Sequence, residues 1–324
     1  MLLKIVKTVL PLAVSLFAGT LFGADSSGVR ITEEPDKLRV EINGELFTEY
    51  RFQGAPHVYF HPLLGPGGRR MTRDWPMRET PGEERDHPHH RSLWYAHGDV
   101  NGVDFWAETP RSGKIVHEKF LEVKSGREVG VIRSANRWIA PNGDVTCTDE
   151  RTFRVYNRPG GERLFDFEVT LKAGDRELVL GDTKEGSMAI RLNETMRLKH
   201  NKENAGQPPG SIVLSTGVRD GDAWGKRAEW CDYHGLVDGQ RVGVAIFDHP
   251  KNPVYPTYWH VRDYGLFAAN PFGVHDFEKK PKGTGNLVVP AGRSVTFRYR
   301  FYLHEGDEKQ AKVAERYKEY QAGL

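Results

Sequence analysis

Cysteine is nearly absent: Cys147 and Cys231 are the two in 324 residues. They form no Cys-x-x-Cys pair, which removes the usual thiolate zinc and iron–sulfur motifs. Their spacing alone leaves a disulfide between them open. An excess of one charge is also missing. Lys and Arg number 46 against 44 Asp and Glu, so there is no basic footprint for nucleic acid or for an anionic membrane. Long apolar runs are missing beyond the N-terminus, helix-period patterns are few, and neither an internal repeat nor a low-complexity linker is present. A membrane bundle, a coiled coil and a repeat array are thereby excluded.

The one apolar run lies at the start. Lys4 and Lys7 give a basic beginning, Thr8 to Phe22 is apolar, and Gly23 and Ala24 are small. This order matches a secretory signal peptide over residues 1–24, and the run is short for a membrane span. The mature chain, residues 25–324, is expected in the periplasm or outside the cell, with no membrane and no nucleic acid among its partners.

What fills the chain is strand period. Leu38, Val40 and Ile42 alternate with charged residues up to Asn43-Gly44, the pair that a two-residue hairpin prefers. Cys147, Phe153 and Val155 continue the pattern, as do Phe165, Phe167, Val169 and Leu171, then Met188 and Ile190, then Phe297, Tyr299, Phe301 and Leu303. Alternation this sustained predicts an all-β protein, one large antiparallel β-sandwich over residues 25–324. The 35 Gly and 19 Pro supply its turns. Helices should be few and short. The clearest runs from Asp307 to Tyr320, with Val313, Ala314, Tyr317 and Tyr320 on one stripe and Asp307 as its cap. Residues 60–80 predict a long irregular loop.

Four polar, aromatic segments carry the candidate chemistry. The densest is Arg85-Asp86-His87-Pro88-His89-His90-Arg91. Pro88 predicts an extended backbone with His87 and His89 on one side and His90 on the other. Such imidazoles suit a general acid or base, substrate donors, or a divalent metal at His87 and His89; a structural loop is the fourth reading. Directly after it come Trp94, Tyr95, His97, Asn101, Asp104, Phe105 and Trp106, a mixture of donors, acceptors and flat rings that fits a polyhydroxylated ligand. The second segment holds Lys184 and Glu185, an acid/base pair or a solvated turn. The third runs from Trp224 to Gly235 and includes Arg227 and Asp232. The fourth includes Trp259, His260, Arg262 and Asn270, with His260 and Arg262 at strand spacing.

The segments DHPHHRSLWYAHGDVNGVDFW, GDTKEGSMAIRL, WGKRAEWCDYHG, DHPKNP and YWHVRDYGLFAANPFG together resemble the DUF6807 family, whose members often carry the label "methane oxygenase PmoA". The likeness covers about residues 30–304, and Ser92 stands where the family pattern has Gly. A membrane methane enzyme needs several spanning helices, and no run after residue 24 is long enough. The resemblance implies instead a β-sandwich in the style of galactose mutarotase and a setting in sugar degradation. It also marks His87, His89, His90, Asn101, Asp104, Lys184, Glu185, Arg227, Asp232, His260, Arg262 and Asn270 as site positions.

The expectation is a carbohydrate-active enzyme that epimerises, eliminates or cleaves a glycoside by acid/base chemistry, with no cofactor required. His87, His90, Glu185 and His260 are its catalytic candidates. Arg91, Asn101, Asp104, Trp106, Lys184, Arg227, Asp232, Trp259, Arg262 and Asn270 are its substrate-binding candidates. A non-catalytic carbohydrate-binding protein and a metal-dependent lyase or oxidase are the rivals.

Overall fold

The computed structural model describes residues 27–324. The signal peptide predicted over residues 1–24 lies outside the described residues. In chain order the strands are β1 (Val29–Glu34), β2 (Lys37–Ile42), β3 (Glu45–Arg51), β4 (Tyr59–Leu63), β5 (Leu93–His97), β6 (Lys114–Lys124), β7 (Val129–Ile139), β8 (Val145–Asn157) and β9 (Arg163–Lys172). They continue with β10 (Leu178–Leu180), β11 (Gly186–Arg191), β12 (Ser211–Leu214), β13 (Trp230–Val237), β14 (Gln240–Asp248), β15 (Tyr258–Val261), β16 (Leu266–Asn270), β17 (Leu287–Val289) and β18 (Ser294–Glu305). Two α-helices, α1 (Val274–Glu278) and α2 (Val313–Ala322), and four single-turn 3-10 helices complete the regular structure of the described residues. None of the described helices is long and apolar enough to cross a membrane.

Two eight-stranded antiparallel sheets result. The first has the order β1-β2-β3-β4-β5-β11-β16-β15, and the second the order β12-β13-β14-β18-β9-β8-β7-β6. The strand period explains why the sheets pack on one another. Leu38, Val40 and Ile42 of the first sheet are buried, as are Phe165, Phe167, Val169 and Leu171 of the second. A single apolar cluster joins residues of both. Each large side chain fully buried there contributes about 1.5–3 kcal/mol. Asn43 and Gly44 take φ values of 52° and 81°, so both central turn residues are left-handed and the predicted hairpin between β2 and β3 forms.

The interior is not wholly apolar. Asp149 and Arg151 on β8 are both buried and ion-paired, and Asp149 also accepts from Asn136 and the indole of Trp138. This closed network satisfies charges that would be costly if left alone.

Three expectations are corrected. Residues 60–63 of the predicted loop belong to β4, because Tyr59, Phe60 and Leu63 bury themselves in the sandwich; the irregular stretch runs from residue 64 to residue 92. The last helix begins at Val313 rather than Asp307, whose carboxylate accepts from the amides of Lys309 and Gln310 and so closes a preceding turn. Ala314 faces solvent, while Val313, Tyr317 and Tyr320 cover the outer face of the second sheet. Cys147 and Cys231 are both free and buried, each thiol pushed up by burial.

Candidate active-site cleft

The first sheet carries a row of four residues in register. Trp94 on β5 pairs with Ala189 on β11, Ala189 with Ala268 on β16, and Ala268 with His260 on β15. Paired residues point to one face, and three inter-strand steps set Trp94 and His260 about 14 Å apart. The opposite face, through Tyr95 with Trp138 and Phe297, looks into the sandwich. The row therefore lies on the outer face of the sheet, with Trp94 and His260 at its ends and two methyl groups between them. Both alanines are buried beneath the loops that cross this face.

The His87–His90 segment closes one wall. The backbone is not extended at Pro88: the amide of His90 donates to the carbonyl of His87 at 3.0 Å, with φ 42° at His87. Pro88 thus occupies the position in a turn that its fixed φ favours. In place of the predicted alternation, His87 stacks on His90 at 4.7 Å, and His89 meets His90 edge-on at 4.5 Å. Below, His90 stacks on Trp94 at 5.3 Å, and Trp106 packs against both. Asp86 anchors the turn: it pairs with Arg73 and Arg191, two fully buried arginines, and accepts from Nδ1 of His87 at 2.6 Å. Burial opposes ionisation of Asp86, but His87 and the two guanidinium groups outweigh it and hold the carboxyl far below its usual range.

The opposite wall is built on His260. Its Nδ1 accepts from the indole N–H of Trp224 at 2.9 Å. On the first wall, Nδ1 of His90 accepts from Arg191 at 3.1 Å. In each neutral ring the proton is therefore on Nε2. Burial, then Arg262 and Lys184, lower the His260 pKa to about 3. Burial and then Arg191 lower that of His90 well below its ordinary value. Both rings are neutral near pH 7, each with an Nε2–H that no described residue accepts.

Half-exposed groups form the mouth. The Arg262 guanidinium lies 5.6 Å from the rings of both Trp224 and Tyr264, and Tyr264 also stacks on His87 at 5.2 Å. Lys184 and Glu185 form an ion pair. Their loop is fixed by Asn270, whose amide donates to the Thr183 carbonyl at 3.0 Å, and by Asp276, which accepts from the Lys184 amide at 2.8 Å. A chain of direct contacts thus runs from His90 through His87, Tyr264, Arg262 and Trp224 to His260. The charge of Glu185 acts on Tyr264, and that of Lys184 on His260.

Of the predicted site residues, this cleft gathers His87, His90, Trp106, Lys184, Glu185, His260 and Arg262, together with His89. Others have structural posts. Trp259 is fully buried on the core face, beside Phe267, and cannot stack on a ligand. Asp232 is in the second sheet, buried between His234 and His304. Asn101 accepts from the Val179 amide and donates to the Glu177 carbonyl, tying down an exposed turn. Asp104 caps its own turn through the amides of Trp106 and Ala107. Arg227 donates to the carbonyls of Val254, Tyr255 and Pro256. Arg91 is engaged bidentately by Glu108 and covers the Tyr59 ring. Asn270 serves the cleft indirectly, through the Lys184–Glu185 loop.

Arg73, Arg191, Trp224 and Tyr264 are parts of the cleft that the sequence reading left out of its site. Only the strand spacing of Arg191 to Ala189 pointed to the face on which Arg191 stands. Among the described residues, no three His, Cys, Asp or Glu side chains are placed to hold a metal ion. A groove of about 680 Å³ beside Arg70, Arg78 and Asn193 lies apart from the cleft. Its arginines are paired with Asp74, so it offers little free chemistry.

Solved structures similar to this chain include a galactose mutarotase related enzyme from Lactobacillus acidophilus (10% identity, TM-score 0.35, 85% of this chain and 97% of that chain). They also include the GalM/aldose epimerase homologue from C. elegans (7% identity, TM-score 0.34, 87% and 100%). A polysaccharide lyase is a third (10% identity, TM-score 0.35, 87% of this chain and 33% of that one). No curated protein matches the chain. Residues 37–318 match DUF6807, a family of unknown function to which this chain therefore belongs.

Proposed function

We propose that the protein is an exported carbohydrate-active enzyme that carries out acid/base chemistry on a sugar or oligosaccharide. The single observation behind this is the pair of neutral imidazoles, His90 and His260, on opposite walls of an alanine floor, with the Glu185 carboxylate at the mouth. A neutral Nε2–H is a poor proton donor but a good hydrogen-bond donor to an oxygen on which charge develops. His90 or His260 therefore polarises a carbonyl or ring oxygen, and Glu185, oriented by Lys184, takes the proton from the adjacent carbon. Arg262 fixes an oxygen substituent, and the rings of Trp224 and Tyr264 flank it. Such a set serves epimerisation, elimination or glycoside cleavage. Export rests on the N-terminal run of residues 8–22.

The test is turnover of a panel of oligosaccharides and 3-keto-glycosides by the mature protein, with and without a chelator. Turnover that survives the chelator and is lost in Glu185→Gln, with affinity retained, is the expected result. Sugar binding without turnover would make the chain a carbohydrate-binding protein instead. Activity lost with the chelator would move the chemistry to a divalent metal held by His87 and His89.

A further inference from the structure

The arginines around the cleft differ in one respect. Arg73 and Arg191 are matched by Asp86, Arg91 by Glu108, Arg197 by Glu194 and Glu84, and Arg227 by three carbonyls. Arg262 has no hydrogen bond and no ion pair from its side chain among the described residues; its polar edge is unanswered. It is nevertheless held in place. A planar cation near two aromatic rings is fixed by cation–π attraction while its N–H groups stay available.

The surroundings add to the imbalance. Glu185 is matched by Lys184, and Asp86 by two arginines and His87. The charged free group at the cleft is the Arg262 guanidinium; the Nε2–H groups of His90 and of His260 donate, and the Tyr264 hydroxyl can donate or accept. The unengaged oxygen of Glu185 and one ring nitrogen of His89 are acceptors beside them, so the imbalance is one of charge. A neutral sugar brings donors and acceptors in equal measure and would leave the half-buried Arg262 charge unmatched. A carboxylate brings acceptors only, and a guanidinium grips it through two parallel hydrogen bonds.

We infer that the cleft takes an acidic saccharide, a uronate or another sugar bearing a carboxylate, with that carboxylate on Arg262. This rests on the carbohydrate reading above and names its substrate class. The ligand's carboxylate approaches between Trp224 and Tyr264.

The experiment compares oligogalacturonate and oligoglucuronate with their carboxyl-reduced, neutral forms, by calorimetry and by turnover, on the wild-type protein and on Arg262→Gln and Arg262→Lys. Wild type should prefer the acidic form of at least one pair by roughly 10- to 100-fold, the range for a charged hydrogen bond. Arg262→Gln should weaken the acidic form far more than the neutral one and so erase that preference, and Arg262→Lys should keep part of it. Equal affinity for acidic and neutral forms, or equal losses for both in Arg262→Gln, overturns the inference and leaves the carbohydrate reading standing. If none of these saccharides binds while other neutral sugars are turned over, only the inference falls. If no saccharide of any kind binds, both readings fall.

Discussion

Trp224 donates its indole N–H to Nδ1 of His260 at 2.9 Å, and this bond decides which nitrogen of the ring faces the cleft. Trp224→Phe keeps an aromatic face for Arg262 and for Phe277 but deletes the donor. His260 should then sample both neutral tautomers, seen as averaged nitrogen shifts in place of a protonated Nε2. Turnover should fall about tenfold, in line with the loss of one oriented donor, while the melting temperature changes little. An unchanged tautomer in the variant would show that Trp224 does not set it.

The buried imidazoles give stability a definite dependence on pH. His57 and His260 are held at about 3, and His89 and His97 at about 4, in each case with burial as the leading cause. In the unfolded chain these groups titrate near 6.5. Between about pH 6.5 and 4 the unfolded chain therefore binds more protons than the folded one, and stability falls as pH falls. Asp248 acts in the opposite direction, because burial raises it to about 7, so it offsets one imidazole across the same window. Each deeply buried ring left over is worth up to about 1.4 kcal/mol per pH unit. The melting temperature should drop steadily over that interval; a flat or rising profile would contradict the burial of these rings in neutral form.

The alanine floor makes a steric prediction. Ala268→Leu places three more carbons between Trp94 and His260, under the loops that carry the cleft. Overpacking of this kind costs about 1–3 kcal/mol, which a protein of this size should tolerate. Saccharide binding and turnover should both be lost while circular dichroism still reports the sheet. The same change at Ala269, whose side chain points into the core, should destabilise more and serves as the contrast. Unchanged binding in folded Ala268→Leu would place the ligand elsewhere.

The sandwich was legible because a strand period of two is a local signal, and Leu38 to Ile42 or Phe165 to Leu171 display it without outside help. The candidate cleft was legible where a reactive residue type stands in a polar, aromatic segment, as at His87, His90, Glu185, His260 and Arg262. Trp259 and Trp224 show the limit. Both are tryptophans in polar segments, yet register with Ala269 turns Trp259 into the core beside Phe267, while Trp224 stands in a loop that comes over His260 from 36 positions away. The error at Pro88 is of another kind: an X-Pro pair fits an extended chain or a turn, and the half-buried Asp86, anchored on the buried Arg73 and Arg191, selects the turn. Arg191 itself reads in sequence as the polar end of a strand, and only the paired sheet shows that it stands beneath Tyr264.

Asp232 offers a test of where the cleft ends. Its carboxylate accepts from Nδ1 of His234 at 2.7 Å and from Nε2 of His304 at 2.6 Å, fully buried on the outer face of the second sheet. Gly243 makes this possible, since a Cβ there would meet the His304 ring at 2.3 Å. Burial opposes the charge on Asp232, yet His304 and His234 hold its pKa below the ordinary carboxylate value. Its contribution is therefore present above the unfolded carboxyl pKa and is lost as pH falls through the folded one. Asp232→Asn sets an amide N–H against imidazole donors and leaves the histidines without their anion. Stability should fall by about 3 kcal/mol in urea unfolding, the usual loss when one partner of a buried pair is removed. Because Asp232 belongs to the other sheet from the His90–His260 cleft, the folded fraction should turn over substrate at the wild-type rate. A variant of normal stability but reduced turnover would return Asp232 to the site and require the cleft to extend through the sandwich.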